Sequence, residues 1–190
     1  VSHSLPDAND RRAAFERLVL PIAPALYRTA RRLVPRGEDP NDLVQETFLR
    51  AYRTFGSFRG GTNAKAWLFT ILYSILSNRW RRDSRHPEEV SLDDVDRRFD
   101  AVIAVAAEAE RVLVTTLGAS PEVDEALRQL PEAYRAAVLL VDVEEMTYEE
   151  AAAALECPVG TVRSRLARGR KLLFLALFEY ARRIGAVQDT

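Results

Sequence analysis

Apolar positions recur along most of the chain at helical spacing, and no stretch alternates in the two-residue manner of a half-buried strand. Arg11 to Leu20 reads as a helix with Phe15, Leu18 and Val19 on one side. Pro21 and Pro24 interrupt it, and Pro24 suits the first turn of a second helix carrying Leu26, Ala30 and Leu33. VPRGEDP is a turn, and Asp39 is placed to cap a third helix with Pro40 at its first position. On that helix, NDLVQETFLRAYRTF, the residues Val44, Phe48, Ala51 and Phe55 face inward. Asp42, Gln45, Glu46 and Leu49 share another side. A glycine-rich loop, GSFRGGTN, presents Phe58 as an exposed aromatic candidate. Asn63 then caps a long fourth helix whose core residues are Leu68, Ile71, Leu72 and Ile75 and whose second half gathers Arg79, Trp80, Arg81 and Arg82.

A polar connector opens at Arg85. Its later part, AVIAVAAEAERVLVTTL, is helix-prone, with Val102, Val105, Ala109, Val112 and Leu113 able to line one side. Gly118 and Pro121 mark a boundary, and Pro131 divides the next stretch into two helices.

The most informative stretch is TYEEAAAALECPVGTVRSRLARGRKLLF, from Thr147 to Phe174. Thr147 and Glu150 have the spacing of a capping box at the head of a short alanine-rich helix. Pro158 forces a break, and a second helix begins near Val159. There Val162, Leu166, Gly169 and Leu173 form a buried row, while Arg163, Ser164, Ala167, Arg168 and Lys171 fall on another face. Arg165 and Arg170 point elsewhere. An acidic, small-sided helix followed by a basic one suits a helix-turn-helix whose second helix enters a DNA major groove. A merely solvated basic face is the plainer account of such a charge run. The concentration of bases on one of two adjacent helices, with the turn at the fitting place, argues against it.

Composition and charge sharpen this picture. The 190 residues are 47% hydrophobic and 29% charged, as in a globular protein of one large or two small domains. No apolar run approaches the roughly 20 residues that cross a membrane. The first residues lack a secretory apolar core, so a cytoplasmic protein without membrane insertion is expected. The single cysteine, Cys157, excludes an internal disulfide and a cysteine-rich metal site, and is read as a small buried apolar residue rather than a redox sensor. His3 and His86 lie in polar, proline-flanked segments and read as loop residues. Residues 1–85 carry 15 basic and 8 acidic side chains, residues 86–120 carry 3 and 8, and residues 121–190 carry 9 and 12. Two basic surfaces joined by an acidic connector suggest two places that meet a polyanion. No catalytic constellation, phosphate-cradling loop or metal-ligand spacing is present, so no enzyme activity and no cofactor are expected.

DPNDLVQETFLRAYRTFGSFRG, AWLFTILYSILSNRWRR, ALRQLPEAYRAAVLL and MTYEEAAAALECPVGTVRSRLARGRKLL follow in order with fitting spacings. Together they resemble a bacterial RNA polymerase sigma factor of the extracytoplasmic-function (ECF, group four) type within the sigma-70 family. The resemblance runs from about Phe15 to Leu173 and implies an all-α chain of two small helical domains. These are region 2 at 10–85 and a region 4 helix-turn-helix at 121–183, joined by an acidic and partly helical linker at 86–120. It also implies the partners: core RNA polymerase, through its clamp coiled coil and its flap, promoter DNA, and an anti-sigma factor that occludes the polymerase-binding surfaces.

Residue by residue, the resemblance places Asp42, Leu43, Gln45, Glu46 and Leu49 in the polymerase-binding segment, with Phe48 as core. It places Phe58, Arg59, Lys65, Ser74, Asn78, Arg79 and Arg82 at the "minus ten" element, where single-stranded DNA needs a basic groove and a surface for a flipped base. Trp67 is read as packing. Thr161, Arg163, Ser164, Ala167, Arg168 and Lys171 fall at the "minus thirty-five" element, and arginine is the side chain best suited to read guanine. The chain departs from many members at Ser74, where they carry Asn, at Leu72, where they carry a smaller residue, and at Ala167, where they carry a larger one. Two other readings compete: a free-standing helix-turn-helix regulator, and a nucleic-acid enzyme with a helical DNA-binding tail. The first would need a dimerisation domain from residues 1–85, and the second lacks any carboxylate or histidine constellation.

Overall fold

The computed structural model describes residues 8–58, 61, 63–82, 95–99 and 121–184, with the backbone alone at 8, 81 and 82. These residues form helices and turns, with no strand among them, in two compact units.

The first unit contains α1 (Ala8–Val19), α2 (Ala23–Leu33), α3 (Pro40–Thr54), a 3-10 turn (Phe55–Ser57) and α4 (Ala64–Arg82). Its helices begin where local chemistry starts them. The Asp39 carboxylate accepts the backbone N–H of Asn41 at 2.9 Å, satisfying an amide that the first turn of α3 leaves over. Asn63 does the same for α4, accepting from Lys65 at 3.0 Å and Ala66 at 3.2 Å. Gly37 turns the chain before α3 at φ 94°, a left-handed conformation that glycine adopts without steric cost.

The core of this unit gathers on α4. Leu68, Phe69, Ile71, Leu72, Tyr73, Ile75 and Leu76 are all buried, so α4 is enclosed on more than one side, and the four core positions expected from the sequence are a subset. Phe15 of α1 closes one end, meeting Tyr52 and Phe55 edge-on at 5.1 and 5.3 Å.

Because α3 packs against both α2 and α4, its inward face is wider than the sequence pattern indicates. Leu43 and Thr47 are fully buried beside Val44 and Ala51, while Phe48 is half-buried. The Thr47 hydroxyl donates to the Leu43 carbonyl at 2.7 Å and so carries no unmet polar group inside. Leu43, expected in the polymerase-binding segment, thus has its side chain wholly in the core.

The second unit contains α5 (Pro121–Gln129), α6 (Glu132–Val138), a π-helical turn (Leu139–Val143), most of α7 (Tyr148–Ala154) and α8 (Val159–Arg183). The capping box forms as expected. Glu150 N–H donates to Thr147 Oγ1 at 3.1 Å, and Thr147 N–H donates to Glu150 Oε2 at 2.9 Å. Between α7 and α8 the backbone turns through Glu156 at φ 49°, a left-handed conformation unusual for a residue with a side chain. Val162, Leu166 and Gly169 are buried and Leu173 is half-buried, close to the expected row. Gly169 lets α8 approach α6 closely: a Cβ there would stand 2.7 Å from Val138 Cγ2 and 3.0 Å from the Tyr134 carbonyl oxygen.

A helical turn at residues 95–99 also belongs to this unit. Val95 is buried, and Phe99 meets Phe174 of α8 edge-on at 5.5 Å. By sequence this stretch reads as polar, because two apolar side chains four residues apart are hidden among acids and arginines. The connector helix expected over 101–117 lies outside the described residues.

Candidate functional site

On α8, one row faces outward. Arg163, Ser164 and Ala167 are exposed, and Thr161 and Arg168 are half-buried beside them. Ser164 Oγ donates to the Thr161 carbonyl at 3.0 Å. The Arg163 guanidinium lies 5.5 Å from the centre of the Tyr148 ring, a cation–π contact that ties the start of α8 to α7. Sequence spacing does not point to Tyr148, since nothing local connects it with a residue in the next helix.

The other bases of α8 have protein partners. Arg170 reaches back to Asp142 on the π-helical turn with two hydrogen bonds, Nε to Oδ2 at 2.9 Å and Nη2 to Oδ1 at 2.5 Å. Its pKa is raised by that bond to Asp142, against the opposing effect of partial burial. Arg165 Nη1 lies 3.7 Å from Cys157 Sγ, and Cys157 is half-buried. Both arginines therefore point away from the outward row, as expected. Lys171, expected at the DNA, also has a partner within the unit: its ammonium bonds Asp96 Oδ1 at 2.6 Å and sits 5.1 Å from the centre of the Phe99 ring.

In the first unit, Asp42, Gln45, Glu46 and Leu49 are exposed on α3, and Leu49 keeps 60% of its surface open. Arg79 of α4 bonds Glu46 through Nη2 at 2.6 Å and stands 4.0 Å from Glu38. Residues expected to serve two different partners thus meet.

Phe58 departs from the exposed aromatic expected from the sequence. The 3-10 turn folds it back, so that it is half-buried, 4.8 Å from the Trp67 ring and 6.3 Å from Phe55, stacked on the latter. Trp67 packs in the same cluster, as expected. Lys65, Ser74 and Asn78 are half-buried on α4. Ser74 and Asn78 lie one turn apart, whereas Lys65 falls about 180° around the helix from Ser74, so these three do not share a face. Arg59, and the side chain of Arg82, lie outside the described residues.

Residues 18–86 match the family described as Sigma-70 region 2, and residues 120–173 match that described as Sigma-70, region 4. The RNA polymerase sigma-H factor of Pseudomonas aeruginosa is 33% identical over 171 residues, which cover 88% of each chain. The ECF RNA polymerase sigma-E factor of Escherichia coli K12 is 32% identical over 163 residues, covering 84% of each. The chain belongs to the ECF sigma factors of the sigma-70 family. Among solved structures, the sigma factor RpoE of Bartonella quintana, in complex with the anti-sigma factor NepR, shares 31% identity at a TM-score of 0.61. The match covers 86% of this chain and 96% of that one.

Two sigma regions in one chain, with sigma factors as relatives along most of its length, set aside the free-standing regulator. This sigma factor is an initiation factor and not an enzyme, as its relatives' names indicate. Among the described residues, none of its helices is long and apolar enough to cross a membrane, and no cluster of His, Cys, Asp and Glu could hold a metal ion.

Proposed function

We propose that this sigma factor brings core RNA polymerase to promoters through three surfaces on two domains, bounded at 10–85 and 121–183, in the cytoplasm. Asp42, Gln45, Glu46 and Leu49 on α3 dock on the polymerase: an acidic face around one exposed leucine suits a basic protein partner and repels DNA. Ser74, Asn78 and Arg79 on α4, with Lys65 from another face of that helix and with Arg59 and Arg82, engage the single-stranded "minus ten" element. Thr161, Arg163, Ser164, Ala167 and Arg168 on α8 read the "minus thirty-five" element.

The observation that carries the reading is the outward row of α8. It follows a capped α7 and a sharp turn, and its bases point out while Arg165 and Arg170 are tied back. A helix of this kind places its N-terminal residues against base edges in the major groove. An anti-sigma factor is the expected controller, in keeping with the partner of the Bartonella quintana relative.

Run-off transcription with core polymerase tests the reading. The full chain should confer initiation from selected promoters with a fixed upstream sequence. Tight, specific duplex binding by the chain alone, without polymerase-dependent initiation, would refute it.

A further inference from the structure

The row on α8 ends at Lys171, one turn beyond Ala167 and three residues beyond Arg168, so the three occupy neighbouring positions on the helix surface. Three contacts from residues 95–99 converge there. Asp96 bonds the Lys171 ammonium at 2.6 Å, the Phe99 ring lies 5.1 Å from the same ammonium, and Phe99 packs edge-on against Phe174 one turn further along α8. Val95 is buried, with 5% of its surface open, which anchors the other end of the turn. Arg98 belongs to the other side, lining a groove with α5 residues such as Glu122 and Glu125, and Arg97 is exposed, so of the charged side chains of this turn it is Asp96 that bonds Lys171.

We infer that residues 95–99 cover the far end of the α8 row, and that the Asp96 carboxylate competes with DNA phosphate for Lys171. This rests on the reading of α8 as the DNA-facing helix. Asp96 is 57% exposed, so the carboxylate both neutralises Lys171 and meets an approaching phosphate with like charge. The ion pair is solvated and weak by itself. Phe99 and Val95 hold it in place, because their apolar surface leaves water only while the turn is docked. The cover therefore lowers the affinity of the isolated chain for duplex DNA, and undocking of the turn returns one phosphate contact to the row.

The test is a cycle in the full chain, read by fluorescence anisotropy with a duplex carrying the upstream sequence selected by the holoenzyme. Asp96→Asn should tighten binding a few-fold and steepen the dependence of log affinity on log salt by about one unit, the signature of one added phosphate contact. Phe99→Ala should act in the same direction. In a Lys171→Ala background, Asp96→Asn should change neither quantity. An unchanged affinity for Asp96→Asn, or the same gain with and without Lys171, overturns the inference, the second because it would mean only that a negative charge had been removed. Run-off by wild-type holoenzyme is measured alongside. Its failure would count against the sigma reading of the chain, whereas the cycle reports on the cover in the isolated protein.

Discussion

Arg79 of α4 and Glu46 of α3, 33 residues apart in sequence, form an ion pair of 2.6 Å on the surface of the first unit. By resemblance, Glu46 belongs to the polymerase and Arg79 to promoter DNA, and in the isolated chain each is the other's partner. Both side chains remain partly open, 52% for Glu46 and 32% for Arg79. An exposed pair of this kind contributes about 0–1 kcal/mol. It is readily exchanged for a better ligand, and it holds Arg79 beside the α3 face until then.

That pair decides how the α3 face should be tested. Glu46→Lys would set a like charge against Arg79 and mix a local structural effect with loss of docking. Asp42→Asn with Glu46→Gln removes the charge at nearly constant shape. The double variant is expected to lose about tenfold or more in affinity for core polymerase, as for charge pairs at protein interfaces. Its circular dichroism and melting temperature should stay close to wild type. Wild-type affinity in a titration with core polymerase would remove these carboxylates from the docking face.

Gly169→Ala should destabilise the second unit by about 1–3 kcal/mol, the usual cost of overpacking. The new Cβ would lie 2.7 Å from Val138 and 3.0 Å from backbone of α6, and backbone cannot swing aside. Gly160 is the control, because a Cβ there would meet nothing within 4 Å. Gly160→Ala should hold or raise stability by up to about 1 kcal/mol through helix propensity. Thermal melting of the two variants separates close packing from propensity.

Glu156→Gly should stabilise the turn between α7 and α8. A side chain at φ 49° incurs a left-handed penalty of about 1–2 kcal/mol, and glycine avoids it while losing more chain entropy on folding. The expected net gain is a fraction of that penalty, seen as a higher denaturation midpoint. A loss of stability would show that the Glu156 side chain makes a contact worth more than the strain.

Arg168→Ala should relax the preference at one position of the upstream promoter element, at about 1–3 kcal/mol of discrimination for an arginine reading guanine. Arg165→Ala should have a smaller effect that is the same for all sequences, since Arg165 is turned toward Cys157. Run-off transcription from a promoter library with reconstituted holoenzyme measures both. If Arg168→Ala weakens every promoter equally, it touches backbone and not bases.

The sequence by itself determined where the helices start and stop, and which family of function they serve. Asp39, Asn63 and the Thr147–Glu150 box act on amides two or three residues away, and Pro158 restricts its own neighbours, so their effect is written locally. The outward row of Arg163, Ser164 and Ala167 was legible for the same reason, because helical spacing alone opposes it to Val162, Leu166 and Gly169. Only the tertiary structure decided which of the expected contact residues are open. Leu43 vanished into the core because α3 is packed on two sides, and Phe58 is half-covered because a 3-10 turn lays it near Trp67. Lys171 was claimed by Asp96 from 75 residues away, and Arg79 by Glu46 from 33. Periodicity reports which side of one helix is apolar. It carries no term for what a distant segment brings to that side, and the partners of these long, charged side chains were fixed only when the helices packed.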